Sequence, residues 1–310
     1  MKLFVFALIL SLMSALPVVA APFASSARTA IPEDVQQIIS VDYRALKNSE
    51  TALALKERVL PQTLKDFENN LKSMGVDVDR DLDQLTFVSF RTKSGLRSVG
   101  IAQGGFSAKQ LVGKLRVRKI KPVKHRLSLI YPSGTGMQMS FLDENTMLFG
   151  EASALKAALD ARDGEVPSMA SNAQITDSMQ SVESGPVWSV LDQTGTQNMM
   201  RSALGDASKL ADYDVIKKRL LGSQYIMDFA RGVNFDLDVV TSDSMTAATL
   251  SSLVKAGMLY RKMGATPVEK TALDSMSVNS QSAKLQLHFK SDDQKFRSLL
   301  SSELFAAVSR

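Results

Sequence analysis

Apolar positions along this chain change period several times, and each change marks an element. In "QQIISVDYRAL" (36–46) apolar residues crowd into a short run that predicts a strand. The stretch "SETALALKERVLPQTLKDFENNLKSMG" then sets Leu53, Leu60, Leu64, Phe67 and Leu71 three, four or seven apart, which predicts a helix that Pro61 splits and Gly75 stops. "QLTFVSFRTK" and "LRSVGIAQ", alternating about Ser94-Gly95, predict a hairpin. Ser107 opens a helix in "SAKQLVGKL", three strands follow in "HRLSLIYP", "GMQMSFL" and "NTMLFG", and the helix "ASALKAALDAR" ends at Asp163-Gly164.

The same order then recurs. "PVWSVLD" takes the place of the first strand, helical stretches run through "VIKKRLLG", and "SQYIMDFAR" with "VNFDLDVVTSD" takes the place of the hairpin. "SMTAATLSSLVKAGMLYRKMG" stands for the middle helix, "ALDSMSVNS" and "AKLQLHF" for the late strands, and "SDDQKFRSLLSSELFAAV" for the closing helix. Each pass takes about 120 residues. The expected fold class is α+β in two similar halves, each a mostly antiparallel sheet with helices packed on one face. The expected organisation is a signal peptide over 1–20, a flexible N-terminal segment over 21–34, repeat 1 over 35–164 and repeat 2 over 165–310.

The N-terminus adds a compartment. Met1-Lys2 precedes "LFVFALILSLMSALPVVA", an apolar run broken by Pro17 and ending in Val18-Val19-Ala20, the pattern of a secretory signal peptide cleaved near Ala20. A retained anchor is the alternative, opposed by Ser11, Ser14 and Pro17. The reading is an exported protein, periplasmic or secreted, with no transmembrane span after cleavage. The chain has no cysteine, so it has no disulfide, thiolate metal site, thiol nucleophile or lipid-modified Cys. Loss of Lys2 lowers the formal charge of +5 by one, leaving a mildly basic chain.

If two halves share a scaffold, a feature found in only one is not required by the scaffold, and each candidate site can be weighed on that ground. "GVDVDRDLDQL" (75–85) spaces Asp77, Asp79, Asp81 and Asp83 like a calcium loop. Counted from Asp77, however, position 6 is Leu82 and position 12 is Val88, so the turn glycine and the bidentate acid are missing. It reads as a strand lead-in with Val76, Val78, Leu82 and Leu85 inward and the aspartates in water. "GIAQGGFSAKQL" has the glycines of a phosphate cradle without either nucleotide spacing, and reads as a turn. "SALK" (Ser153 to Lys156), "SDS" (242–244) and "KTA" (270–272) follow the order of the penicillin-recognising acyl transferases. Ser244 and Ala272 depart from that pattern, and "SLVK" (Ser252 to Lys255) matches the first motif equally well. His125 and His288 stand apart from any H-x-x-x-H or G-x-S-x-G pattern. Trp188 and most of the 15 methionines read as core.

The strongest charge asymmetry is "KLRVRKIKPVKHR" (114–126). Its anion-binding candidates are Arg116, Arg118, Lys119, Lys121, Lys124 and Arg126, with no acid between Ala108 and Tyr131. Such a run suits an anionic envelope polymer or membrane surface. It lacks the aromatics that stack bases, so no nucleic acid is expected. The bland reading is a solvated helix end and an edge strand guarded by lysines.

"LDENTMLFGEASALKAALDARDG" and "GIAQGGFSAKQLVGKL" resemble uncharacterised exported bacterial proteins built from strand, Gly and helix units. That resemblance implies the α+β fold and export, and carries over no activity, cofactor or catalytic residue. The expected function is therefore a non-enzymatic binding or structural protein of the bacterial cell envelope, without cofactor or metal. The alternative is a divergent periplasmic serine acyl transferase or hydrolase.

Overall fold

The computed structural model describes residues 23–133, 136–205, 213–302 and 305. The apolar leader expected as a signal peptide lies outside them. The helices are α1 (Ser25–Thr29), α2 (Tyr43–Leu46), α3 (Glu50–Val59), α4 (Gln62–Ser73), α5 (Val78–Asp81), α6 (Ala108–Val117), α7 (Ala152–Arg162), α8 (Ala173–Gln180), α9 (Gln193–Leu204), α10 (Tyr213–Lys217), α11 (Ser244–Gly264), α12 (Pro267–Asp274) and α13 (Asp293–Leu300). The strands are β1 (Val35–Asp42), β2 (Leu82–Thr92), β3 (Gly95–Gly104), β4 (Val123–His125), β5 (Ser128–Pro132), β6 (Gln138–Phe141), β7 (Thr146–Gly150), β8 (Val187–Leu191), β9 (Leu220–Asp228), β10 (Val233–Thr241), β11 (Met276–Gln281) and β12 (Lys284–Ser291).

All these strands join one antiparallel sheet of 12, in the order β11-β12-β10-β9-β8-β1-β2-β3-β7-β6-β5-β4. The centre is the β1–β8 pair, where Ile38 stands opposite Val190 and Ser40 opposite Trp188. Moving outward, one side runs β1-β2-β3-β7-β6 and the other β8-β9-β10-β12-β11, after which β5 and β4 extend the first side alone. The local signals act as expected. Pro61 separates α3 from α4, Ser49 and Ser107 cap α3 and α6 through their hydroxyls, and Gly75 ends the α4 turn at φ +80°.

Residues directly opposite share a face of the sheet. The row Ile101, Thr86, Ser40, Trp188, Ile226, Asp236, His288 follows one face across seven strands. Over β1–β3, β7 and β8 that first face is the main core, where Trp188, Phe90, Ile38 and Leu148 meet Ala27, Leu155, Leu159, Ile175 and Met179 of α1, α7 and α8. Over β10 and β12 it is polar and open, with Asp236, His288 and Lys290 exposed. On the second face α4 and α6 cover the early strands through Phe67, Leu71, Leu111 and Leu115, while α9 and α11 cover the late ones through Met200, Leu250 and Leu253. Phe296, Leu299 and Leu300 of α13 pack on Phe289 and Val233.

The expectation of helices on one face therefore holds over β10–β12 and not over the early strands, which are covered on both faces. β2 carries apolar residues at both parities, Val88 and Phe90 inward on the first face and Leu85 and Phe87 on the second, so both faces need a cover. The flexible segment expected over 21–34 is also corrected for its described residues, 23–34. Phe23, Ala27, Ala30 and Ile31 are buried beside α7, and Arg28 and Ser26 reach Glu183 and Asp143. A third departure is α12: Ala272, Leu273 and Asp274, expected to open a late strand, close a helix instead, and the strand begins at Met276. The helix starts with a capping box in which Thr266 and Glu269 satisfy each other's backbone N–H.

Candidate functional site

The basic run occupies the outer end of the sheet. Leu115 is buried against the second face while Arg116 and Val117, the next residues along the helix, face solvent. The helix closes with the paired hydrogen bonds of a Schellman motif: Lys119 N–H donates to Arg116 C=O at 2.9 Å and Ile120 N–H to Leu115 C=O at 3.0 Å. This places Lys119 at φ 59°, a left-handed conformation that glycine normally takes. The chain then turns into β4, the last strand of the sheet, whose only neighbour among the described strands is β5. A second left-handed non-glycine residue, Arg126 at φ 51°, makes the β4–β5 turn.

The six candidate cations separate into three groups. Arg126 is neutralised: its Nε donates to Asp160 Oδ1 at 2.6 Å, and its Nη1 lies 2.8 Å from Glu165. His125 Nε2 meets the same Asp160 oxygen at 2.9 Å. Burial opposes ionisation of Asp160, but the hydrogen bonds from Arg126 and His125 outweigh it and hold the carboxyl below its ordinary range. Arg118 is anchored, donating to the Ser73 carbonyl at 2.7 Å and the Ser73 hydroxyl at 3.2 Å, both at the end of α4, where a cation suits the helix dipole. Arg116, Lys119, Lys121 and Lys124 are exposed and pair with no acid among the described residues. The run expected to hold six anion ligands thus offers four uncompensated cations, with Arg118 beside them and Arg126 withdrawn.

Apolar side chains are exposed among those cations. Val117 is 83% exposed, Leu127 at the β4–β5 turn 91%, Val123 56% and Leu129 44%. Lys124 stands opposite Leu129, on the face away from the His125–Ser128 pair. The sequence reading missed these apolar residues because in a run of charges they look like the buried half of an alternating strand.

The other constellations are not assembled. Ser153 and Lys156 sit on the exposed side of α7, over the first face, while Asp243 caps the start of α11 and Lys270 is exposed in the middle of α12, both over the second face at the far end of the sheet. Asp243 is engaged as the cap of α11, accepting from Thr246 N–H at 2.8 Å. The aspartate run is likewise spent on structure. Asp77 caps the single turn α5, Asp81 pairs with Arg80, Asp79 with Lys56 and Asp83 with Arg44, while Val76, Val78, Leu82 and Leu85 are buried. The expected lead-in is present, but over 78–81 it is helical rather than extended. No group of three or more His, Cys, Asp or Glu among the described residues is placed to hold a metal. Gly104 is needed because a Cβ there would lie 2.0 Å from the Asp81 carbonyl oxygen; the Gly104-Gly105 turn leads into Ser107, the cap of α6. An apolar crevice between α4 and the second face, lined by Leu64, Phe67, Leu82 and Phe149, has a free volume of about 20 Å³, room for little more than one water.

The class these features define is a mixed α+β protein on one antiparallel sheet with a cationic, partly apolar outer edge. No protein-family model matches the chain, and no curated protein does. Among solved structures it is similar to crystal form I of TP0453, with a TM-score of 0.49 and 7% identity over 94% of this chain and 98% of that one. Crystal form III of TP0453 gives a TM-score of 0.48 and 8% identity over 92% and 100%. No helix among the described residues is long and apolar enough to cross a membrane.

Proposed function

We propose that this chain is an exported, non-enzymatic protein of the bacterial cell envelope that holds an anionic surface through the outer edge of its sheet. The apolar leader ahead of residue 23 supports export. The matching strand order on the two sides of β1–β8 supports reading the chain as two copies of one unit, 35–164 and 165–310. The observation that carries the function is the outboard β4–β5 hairpin. It has no counterpart beyond β11 among the described residues, so the shared scaffold does not require it, and four cations without acidic partners among those residues lie on and beside it.

Uncompensated charge of one sign draws an opposite surface by contacts that salt screens, since the Debye length falls from about 10 Å at 0.1 M to about 3 Å at 1 M. The test is retention on an immobilised polyanion or on anionic vesicles. Binding at low salt, release at high salt, and loss when Arg116, Lys119, Lys121 and Lys124 are changed together to Gln are expected. Retention unchanged by the four substitutions would overturn the reading.

A further inference from the structure

We propose that the partner of this edge is an anionic lipid bilayer, and that Leu127 and Val117 enter its interface while the four cations engage the headgroups. This rests on the anionic-surface reading above and narrows it to one partner.

The argument turns on what each side chain is for. A soluble polyanion uses charge and has no use for a leucine held 91% exposed at the tip of a turn or a valine 83% exposed at the end of a helix. Isolated apolar residues on a surface are ordinary, but here four of them are interleaved with uncompensated cations over residues 116–129. An interfacial site needs both: apolar groups that sink a few ångströms below the headgroups, and Lys or Arg that meet the anionic lipid. Neither suffices alone, as single weak anchors give only marginal membrane binding.

Charge is distributed one-sidedly about the edge. Asp160 takes up His125 and Arg126 on the first face. Lys124 and Leu129 project together from the second face, the face on which α6 packs and ends in Arg116 and Val117. Leu127 closes the turn between them. The β4 edge itself is exposed and carries Lys124, which discourages another strand from pairing there and leaves the hairpin free to lie on a flat surface.

The test uses the protein recovered after export and sedimented with vesicles of phosphatidylglycerol mixed with phosphatidylcholine, or of phosphatidylcholine alone. A retained apolar leader binds both compositions, so the difference between them reports the edge. Each cation near an anionic surface is worth about fivefold in partition, so the quadruple Gln variant should bind anionic vesicles several hundredfold more weakly. A matched quadruple change at the other end of the sheet, Arg231→Gln with Lys255→Gln, Lys270→Gln and Lys290→Gln, should leave binding unchanged. Leu127→Ser with Val117→Ser should lower vesicle binding about tenfold and leave retention on dextran sulfate unaltered. The indole introduced by Leu127→Trp should shift its emission to the blue on anionic vesicles and be quenched by brominated lipid, against a Trp188 that is buried and fixed. All substituted residues are exposed, and melting curves confirm the fold of each variant.

Salt-sensitive binding that ignores the Leu127 and Val117 changes, with no quenching of the indole in the Leu127→Trp variant, would overturn the bilayer and leave the polyanion reading standing. Binding to anionic vesicles that the quadruple variant retains would overturn both.

Discussion

Replacing Gly100 with alanine should destabilise the protein although alanine is the better strand residue. A Cβ at position 100 would lie 2.1 Å from Phe149 Cζ, and 2.4 and 2.5 Å from its two Cε atoms. Carbon contacts are optimal near about 3.5–4.0 Å, so the ring would have to retreat by more than about 1 Å. It has little room: the crevice that it lines has a free volume of about 20 Å³. Phe149 is buried, stacked on Phe67 at 4.6 Å between centroids, with Phe87 edge-on at 6.0 Å. Overpacking of this kind costs about 1–3 kcal/mol, and weakening the aromatic pairs adds about 0.5–1.5 kcal/mol, for a total of about 1.5–4.5 kcal/mol. Backbone entropy alone would favour alanine by about 0.5–1 kcal/mol, so the sign of the change separates the two accounts. Urea unfolding followed by the emission of Trp188, the sole tryptophan, measures it. Phe149→Leu in the same background should relieve part of the loss, with a coupling of about 1–2 kcal/mol in the double-mutant cycle. A neutral or stabilising Gly100→Ala would refute the close-packed Gly100–Phe149 contact.

Three further outcomes follow from the same geometry. Ile31→Ala should cost about 2–4 kcal/mol in urea unfolding, because Ile31 is fully buried in a segment whose sequence reads as loose; a change below about 0.5 kcal/mol would return residues 23–34 to a peripheral role. Lys119→Gly should stabilise the protein by about 0.5–1 kcal/mol by relieving the left-handed backbone, and should weaken anionic-vesicle binding by about one cation's share; an unshifted urea midpoint would contradict the φ of 59°. Hydrogen bonds from the Thr246 N–H and from the Ser242 and Thr246 hydroxyls, with Arg219 nearby, hold the Asp243 carboxyl down at about 2, against an ordinary 3.8. Its contribution is therefore complete above about pH 4 and lost as pH falls toward about 2. The melting-temperature gap between the protein and Asp243→Asn should close over that window, and a gap independent of pH would contradict the assignment.

What the sequence disclosed and what it hid divide along the range of the interactions. Pro61, Ser107, Gly75 and the Ser94-Gly95 turn act within a few residues, and the elements they bound are where the pattern placed them. The two-sided cover of the early strands was visible in principle, since β2 holds Leu85 and Phe87 at one parity and Val88 and Phe90 at the other; reading "LTFVSF" as simple alternation concealed it. Residues 23–34 were hidden by composition, because alanines and serines look loose until α7 lies over Ala27 and Ala30. At the site, the run 114–126 was legible as charge, yet the fate of each charge depended on partners far along the chain. Asp160 and Glu165 remove Arg126 from the cationic surface from more than thirty residues away, and Ser73 anchors Arg118 from the other direction. Lys119 occupies a helix stop where glycine is the usual signal, so the end of α6 carried no mark in the sequence. The four cations without an acidic partner among the described residues emerge only after these subtractions, and so do the exposed Val117 and Leu127 between them. A cluster that keeps a left-handed lysine and a solvent-facing leucine at the outer edge of a sheet gains the scaffold nothing at either position, which is the physical ground for proposing that edge as a binding surface.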